Sequence, residues 1–334
     1  MTTRFIHAGA LIDGSGGPIA QAVVLSIDDG SISAISPFDP NNGPEPALVT
    51  DLSYAIIVPP FIDCRVHLAF SGTIDQAHRK QQETASFEDA CSVIKRHIVY
   101  LFRHGVLAVR DAGESSHVLR YMTESKEGTE EPVVVQISGQ AETNGKQEMV
   151  LANGSDAVQQ ALEAGCHAIV QGLAMGRENL QRMAEKKVAL VPTLYAMKAR
   201  VETADTADRK KKAVEDLAHQ LEQVALARDL GISVAIGTDS GALGVLHGEA
   251  VVEEMKLLLK AGYTLAEAVR CATSNSARLM GLDAGLLVVG KPAHFLVARG
   301  IPAQLPRKFS YLEDIYLDGK PSPFYRKNPI RGVF

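Results

Sequence analysis

The sequence predicts an α/β protein: a TIM-like (β/α) barrel beside a small β-sandwich built from both ends of the chain. Three observations lead there. Between residues 56 and 281 short apolar runs alternate with helical patterns, the rhythm of parallel βα units. Strand-like runs separated by turn clusters occupy both termini. The stretch Pro59-Pro60-Phe61-Ile62-Asp63-Cys64-Arg65-Val66-His67-Leu68 sets ionisable residues at a period of two within a buried-strand pattern. The expected domains are residues 1–55 with 282–334 for the sandwich, and 56–281 for the barrel.

In chain order, Phe5-Ile6-His7 and Ala10-Leu11-Ile12 read as strands ahead of the turn cluster Asp13-Gly14-Ser15-Gly16-Gly17-Pro18. Strands over 22–27 and 31–35 flank Asp28-Asp29-Gly30, a hairpin signal. This segment is too small for a core of its own and needs more sheet from elsewhere. The C-terminus offers it, with strand patterns over 285–290, 294–298 and 316–320. In the middle, 86–104 reads as a helix capped by Ser86 and stopped by Gly105. Strands follow over 106–111, 132–137, 168–171, 188–193 and 233–239. Helices fall between them over 116–124, 155–164, 179–186 and 208–230, and two close the series over 249–260 and 265–280. Thr264 with Glu267 three residues on caps the last of these.

One place does not fit eight units. Between 133–137 and the strand-like 148–151 there is room for a loop only, whereas a parallel crossover needs a dozen residues or more. Either 148–151 is not a separate parallel strand or one βα unit is missing. No G-x-G-x-x-G follows an early strand, so a dinucleotide fold has no support.

The 334 residues are 46% hydrophobic and 22% charged, with a formal net charge of -5, which argues against nucleic acid or an anionic membrane as partner. The basic run Arg209-Lys210-Lys211-Lys212 lies among acidic residues and reads as a solvated helix face. Cys64, Cys91, Cys166 and Cys271 form no C-x-x-C pair, which fits a reducing cytoplasm. The first residues lack the apolar core of a signal peptide, and no apolar run approaches the ~20 residues of a membrane span.

The stretch at 59–68 resembles the first-strand signature of the amidohydrolase superfamily, Pro-Gly-x-x-Asp-x-His-x-His. Other segments resemble that family in the same order, most closely its prolidase and imidazolonepropionase-like branch. They are Gly9-Ala10-Leu11-Ile12-Asp13-Gly14, Gly105 through Gly113, Val191-Pro192-Thr193-Leu194, Gly237-Thr238-Asp239-Ser240-Gly241 and Ala272 through Gly281. The resemblance implies a metal-dependent hydrolase of C–N bonds in small molecules. It also implies a metal held by two first-strand histidines, a lysine or glutamate on strand four, histidines on strands five and six, and an aspartate on strand eight.

Only His67 and Asp239 carry over. Arg65 stands at the first histidine, Leu151 at the fifth-strand histidine and Gln171 at the sixth, while the fourth-strand position falls in the short gap. A tightly held zinc ion wants at least three protein ligands, and Arg65 would repel a divalent ion. The expectation is therefore no metal or other cofactor, a weakly bound divalent metal such as zinc being the alternative. First and last barrel strands are neighbours, so Arg65 is expected to pair with Asp239.

The catalytic candidates are His67 and Asp239 for proton transfer and Arg65 for transition-state charge. Arg65, Gln171, Asn153, Tyr195 and His247 are the candidates for substrate binding. His78, His97, His104, His117 and His219 read as surface residues. Two functions follow: a C–N hydrolase whose usual metal site is largely lost, or an inactive family member that binds a small molecule. A metal-independent lyase or isomerase is a third. The expected partner is a small-molecule substrate or ligand; a homo-oligomer stays open.

Overall fold

The computed structural model describes residues 3–41, 43–45, 48–113, 115–124, 132–138 and 148–325. A seven-stranded sheet joins both ends of the chain. It contains β1 (Arg4–Leu11), β2 (Ala20–Asp28), β3 (Ser31–Pro37) and β4 (Val49–Val58), together with β11 (Phe295–Arg299), β12 (Asp314–Leu317) and β13 (Lys320–Pro321). The order is β13-β12-β11-β4-β1-β2-β3, antiparallel except for the β1–β4 pair. Its central strands bury both faces. On β4, Ile56 and Val58 enter the large core while Ala55 and Ile57 enter the sheet's own; on β11, Leu296 and Ala298 alternate likewise with Phe295 and Val297. β4 continues past residue 55 to Val58 within this sheet.

The rest alternates strand and helix. β5 (Phe61–Val66), β6 (Val106–Asp111) and β7 (Val134–Ile137) form one parallel sheet; β8 (Met149–Ala152), β9 (Ala168–Gln171) and β10 (Ala189–Val191) form another. Residues 233–240 lie between the two sheets without forming a continuous strand. Leu190 N donates to Ser233 O and Ala235 N to Leu190 O on one side. On the other, Cys64 N donates to Ile236 O, Asp239 N to Arg65 O and His67 N to Ser240 O.

Alternation separates the side chains of these strands. Ile62, Cys64, Ala108, Ala168, Val170, Ala189, Val191 and Ala235 share one cluster. Ile169, Leu190, Val234 and Ile236 pack in the larger cluster with the helices. Gly237 is required here by close approach: a Cβ would sit 2.4 Å from Val191 Cγ1 and 3.0 Å from Arg65 Cβ.

Ten α-helices surround the strands among the described residues: α1 (Gln76–Glu83), α2 (Phe87–Arg103), α3 (Ser116–Glu124), α4 (Ser155–Glu163), α5 (Arg177–Lys186), α6 (Leu194–Thr203), α7 (Ala207–Asp229), α8 (Glu249–Lys260), α9 (Leu265–Arg270) and α10 (Ser276–Leu279). Ser86 caps α2 by accepting from Asp89 N at 3.2 Å, and the Thr264–Glu267 capping box of α9 is complete.

Several elements differ from the expectation. β1 is one strand, not two. The stretch 285–290 is not a strand, because Gly285 and Gly290 take φ of 84° and 88°, which breaks an extended run. The helix expected over 265–280 is split by a π turn at Cys271–Asn275, where the Cys271 carbonyl accepts from Ser276 Oγ at 2.6 Å and Ile236 N at 3.2 Å. Two helices lack an apolar stripe in the sequence, α1 having only its N-cap Asp75 as a mark. α1 buries no residue, so no apolar stripe marks it; α6 has a poorly segregated face. The segment 148–151 does lie in a parallel strand, paired with β9. The stretch that precedes it, 139–147, is outside the described residues, and with it the expected fourth-strand position.

Candidate active site

The polar residues of β5 meet the segment 238–239, each for a separate reason. Asp63 is fully buried and its carboxylate accepts from Thr238 N at 2.9 Å, Thr238 Oγ1 at 2.6 Å and Arg65 N at 3.2 Å. Burial pushes its pKa up to about 7, the Thr238 bonds partly offsetting this. Asp63 therefore holds the segment in place, apart from the charged group beside it.

That group is Arg65, His67 and Asp239. Arg65 Nε donates to Asp239 Oδ1 at 2.6 Å, and His67 Nε2 lies 3.0 Å from the same oxygen. The three side chains are only 13%, 9% and 9% exposed. Asp239 has φ of 61°, a left-handed conformation that is costly for a non-glycine residue and that aims its carboxylate at β5. Burial opposes its ionisation. The His67 hydrogen bond and the Arg65 charge outweigh that and hold its carboxyl below the usual range.

A cavity of about 280 Å³ opens onto this group. Phe70, Arg79, Glu83, Gly241 and Ala242 complete its lining. Arg79 Nη1 donates to Ser71 O and Gly241 O, both at 3.1 Å, and so ties α1 to the two loops around the cavity. Sequence reasoning missed Arg79 and Glu83 because it did not read α1.

The other candidates do not line this cavity, although His247 bonds to the His67 backbone. Asn153 Nδ2 donates to Gln171 Oε1 at 2.8 Å, and Asn153 Oδ1 accepts from Leu173 N at 2.9 Å, so these two residues brace the ends of β8 and β9. Tyr195 opens α6, its backbone N donating to Glu254 Oε2 at 2.6 Å. Glu254, also missed, is fully buried and caps α6 through Leu194 N as well, at 2.8 Å. Burial raises its pKa to about 8 against those two bonds.

His247 is buried rather than at a cavity mouth, and its ring stacks on His97 with centroids 3.8 Å apart. His97 is thus a core residue and not the surface residue expected. Its Nδ1 bonds to Leu68 O at 2.8 Å, and burial lowers its pKa to about 4. A histidine on an amphipathic helix reads as solvated until the element packed over it is known. His78 and His219 are exposed, His104 and His117 half-buried.

Among the described residues no group of three His, Cys, Asp or Glu side chains is placed to hold a metal ion. No helix is long and apolar enough to cross a membrane among those residues.

The fold is similar to that of several solved hydrolases. A Xaa-Pro dipeptidase with bound methionine superposes with a TM-score of 0.76 at 19% identity, covering 96% of this chain and 99% of that one. A prolidase complexed with N-methylphosphonate-L-proline gives 0.74 at 17%, with the same coverage. Molinate hydrolase gives 0.75 at 16%, covering 96% and 95%. At these identities the likeness is one of fold.

In sequence, an uncharacterized protein of Mycobacterium tuberculosis is 32% identical over 130 residues, 38% of this chain and 35% of the relative. An uncharacterized protein of Mycobacterium bovis matches to the same extent. The match thus spans about a third of the length of these curated relatives. The profile of the amidohydrolase family matches residues 130–320, more than half of the chain. Taken with the order of its strands, this match makes the chain a member of the amidohydrolase family.

Proposed function

We propose that this chain binds a small polar molecule in the Arg65–Asp239 cavity without a metal ion, a guanidinium supplying the fixed positive charge. One observation carries this reading: Asp239 Oδ1 lies 2.6 Å from Arg65 Nε and 3.0 Å from His67 Nε2. The oxygen that a divalent ion would need is engaged by two donors. With Leu151 and Gln171 at the other histidine positions, the residues do not fit the family's metal. The cavity lining carries two charges of each sign, Arg65 and Arg79 against Asp239 and Glu83. A ligand with a carboxylate facing Arg65 and a polar amide group elsewhere suits that balance.

A second reading keeps hydrolysis of a C–N bond. The His67–Asp239 hydrogen bond favours it, since a carboxylate that orients an imidazole is a general-base arrangement. In that case His67 takes the proton from an attacking water and Arg65 stabilises the developing oxyanion.

The reading extends to the fold. The described parallel strands, with 233–240, suit a (β/α) barrel, and residues 1–55 with 282–334, extended by β4 to Val58, suit its accompanying small β domain. Four widely spaced cysteines with no C-x-x-C pair suit the cytoplasm.

Metal analysis of the purified protein, with a thermal-shift screen of small carboxylic acids and amides, tests the proposal. The expected result is no stoichiometric metal, and an acid that stabilises the wild type by about 2.7 kcal/mol at 100 times its Kd but not Arg65→Ala. Stoichiometric zinc, manganese or iron that is lost in His67→Ala overturns it. Release of amine from cyclic or N-acyl amides, abolished in His67→Ala with the fold intact, selects the second reading.

A further inference from the structure

A second cavity, of about 190 Å³, lies where residues 233–240 begin, and three arginines line it: Arg228 of α7, Arg270 at the end of α9 and Arg278 of α10. Asp239 lies five residues beyond Val234 along that segment, and no residue lines both cavities. The two cavities are therefore separate.

Glu267 is the one acidic residue among those lining the second cavity, and its oxygens are committed. Arg228 Nε lies 3.2 and 3.0 Å from the two, and Glu267 Oε2 also accepts from Thr264 N at 2.7 Å. Asp229 is 3.9 Å from Arg228 but points to solvent, 71% exposed. Arg228 and Glu267 offset each other, and Arg270 and Arg278 remain as the positive excess of the lining.

Arg270 is unusual in a second way. Its Nε is buried and has no hydrogen-bond partner among the described residues. Buried N–H donors are almost always satisfied, so this guanidinium is short of one acceptor. The β1–β2 loop lies against the Arg270 stem. A Cβ at Gly16, where φ is 83°, would stand 2.8 Å from Arg270 Cδ and 3.0 Å from Nε. The wall next to Arg270 is the π turn at Cys271–Asn275, an irregularity found frequently at functional sites.

We propose that this cavity binds a small dianionic oxyanion, phosphate or a phosphate monoester, between Arg270 and Arg278. A guanidinium presents paired donors that match two phosphate oxygens, and the cavity has the size for such a group rather than for a whole nucleotide. The site lies outside the cavity of the proposed function and does not depend on it.

Calorimetric titration of the full chain with inorganic phosphate and with phenyl phosphate, at constant ionic strength, tests this. Saturable binding is expected, weakened about tenfold or more in Arg270→Gln and in Arg278→Gln. Arg65→Gln is expected to leave it unchanged. Tighter binding of phenyl phosphate assigns the site to a phosphate ester; equal or weaker binding assigns it to the free ion. Should Arg270→Gln fail to fold, Arg270→Lys keeps the charge while losing the paired donors, and Arg278→Gln remains. No saturable heat up to about 10 mM overturns the proposal. So does binding that persists in every Arg270 and Arg278 variant, or that is lost only in Arg65→Gln.

Discussion

The carboxyl ends of the parallel strands have two unlike sides. Around β5 and 237–241, Arg65, His67, Asp63 and Asp239 are tucked into hydrogen bonds with one another and with Thr238. Around β8 and β9 the polar groups are neutral and exposed: Asn153 and Gln171 bond to each other, and Leu151 is half exposed. The difference follows from pairing. β5 is hydrogen-bonded on one side to β6 and on the other to 236–240, so its side chains are enclosed; β8 pairs on one side only among the described residues. Charge can be kept out of water where the backbone around it is fully paired, and costs least in water where it is not.

The largest effect that would test this contrast is Asp239→Ala. It removes the carboxylate that Arg65 and His67 share, and denaturant unfolding should show a loss of about 3 kcal/mol. Asp239→Leu combined with Arg65→Met should recover part of that, because both members of the pair are replaced together. A loss below about 1 kcal/mol in Asp239→Ala would mean that the group is solvated after all.

Smaller, and dependent on pH, is the contribution of Asp63. In the unfolded chain its carboxyl ionises near pH 4, whereas in the folded chain burial holds the proton up to about 7. The folded state therefore binds more protons across that window, and stability falls as pH rises through it. Asp63→Asn should flatten the decline by at most about 1.4 kcal/mol per pH unit. Stability curves of parallel slope between pH 4 and 7 would show that Asp63 ionises normally.

The smallest effect belongs to the exposed side. Asn153→Ala removes one hydrogen bond to Gln171 and one from Leu173 N, both open to water, and should cost no more than about 1 kcal/mol. A larger loss would show that β8 and β9 depend on this brace as β5 depends on its buried charges.

Much of the architecture was legible because it is written locally. Short continuous apolar runs marked β6 and β9, Ser86 and the Thr264–Glu267 pair marked helix starts, and the turn at Asp28-Asp29-Gly30 marked the β2–β3 hairpin. Elements without such a local mark were not legible. α1 has no buried face, and the π turn at Cys271–Asn275 depends on a bond from Ile236, 35 residues earlier in the chain.

The sequence by itself determined the family and the parallel βα order, since these need only composition, period and collinear motifs, and it marked the polar groups of 63–67 and Asp239. Tertiary structure decided what those groups do to one another. Asp239 reaches Arg65 and His67 across 174 and 172 residues of chain. His97 and His247 become a buried stack, and Arg79 and Glu83 come to the cavity on a helix that no pattern announced. Arg270, Arg278 and Arg228 converge at the far end, one Nε left in need of an acceptor. Burial, and with it the strength of each charge interaction, is a property of what packs over a residue, and in this chain the covering element usually comes from a distant part of the sequence.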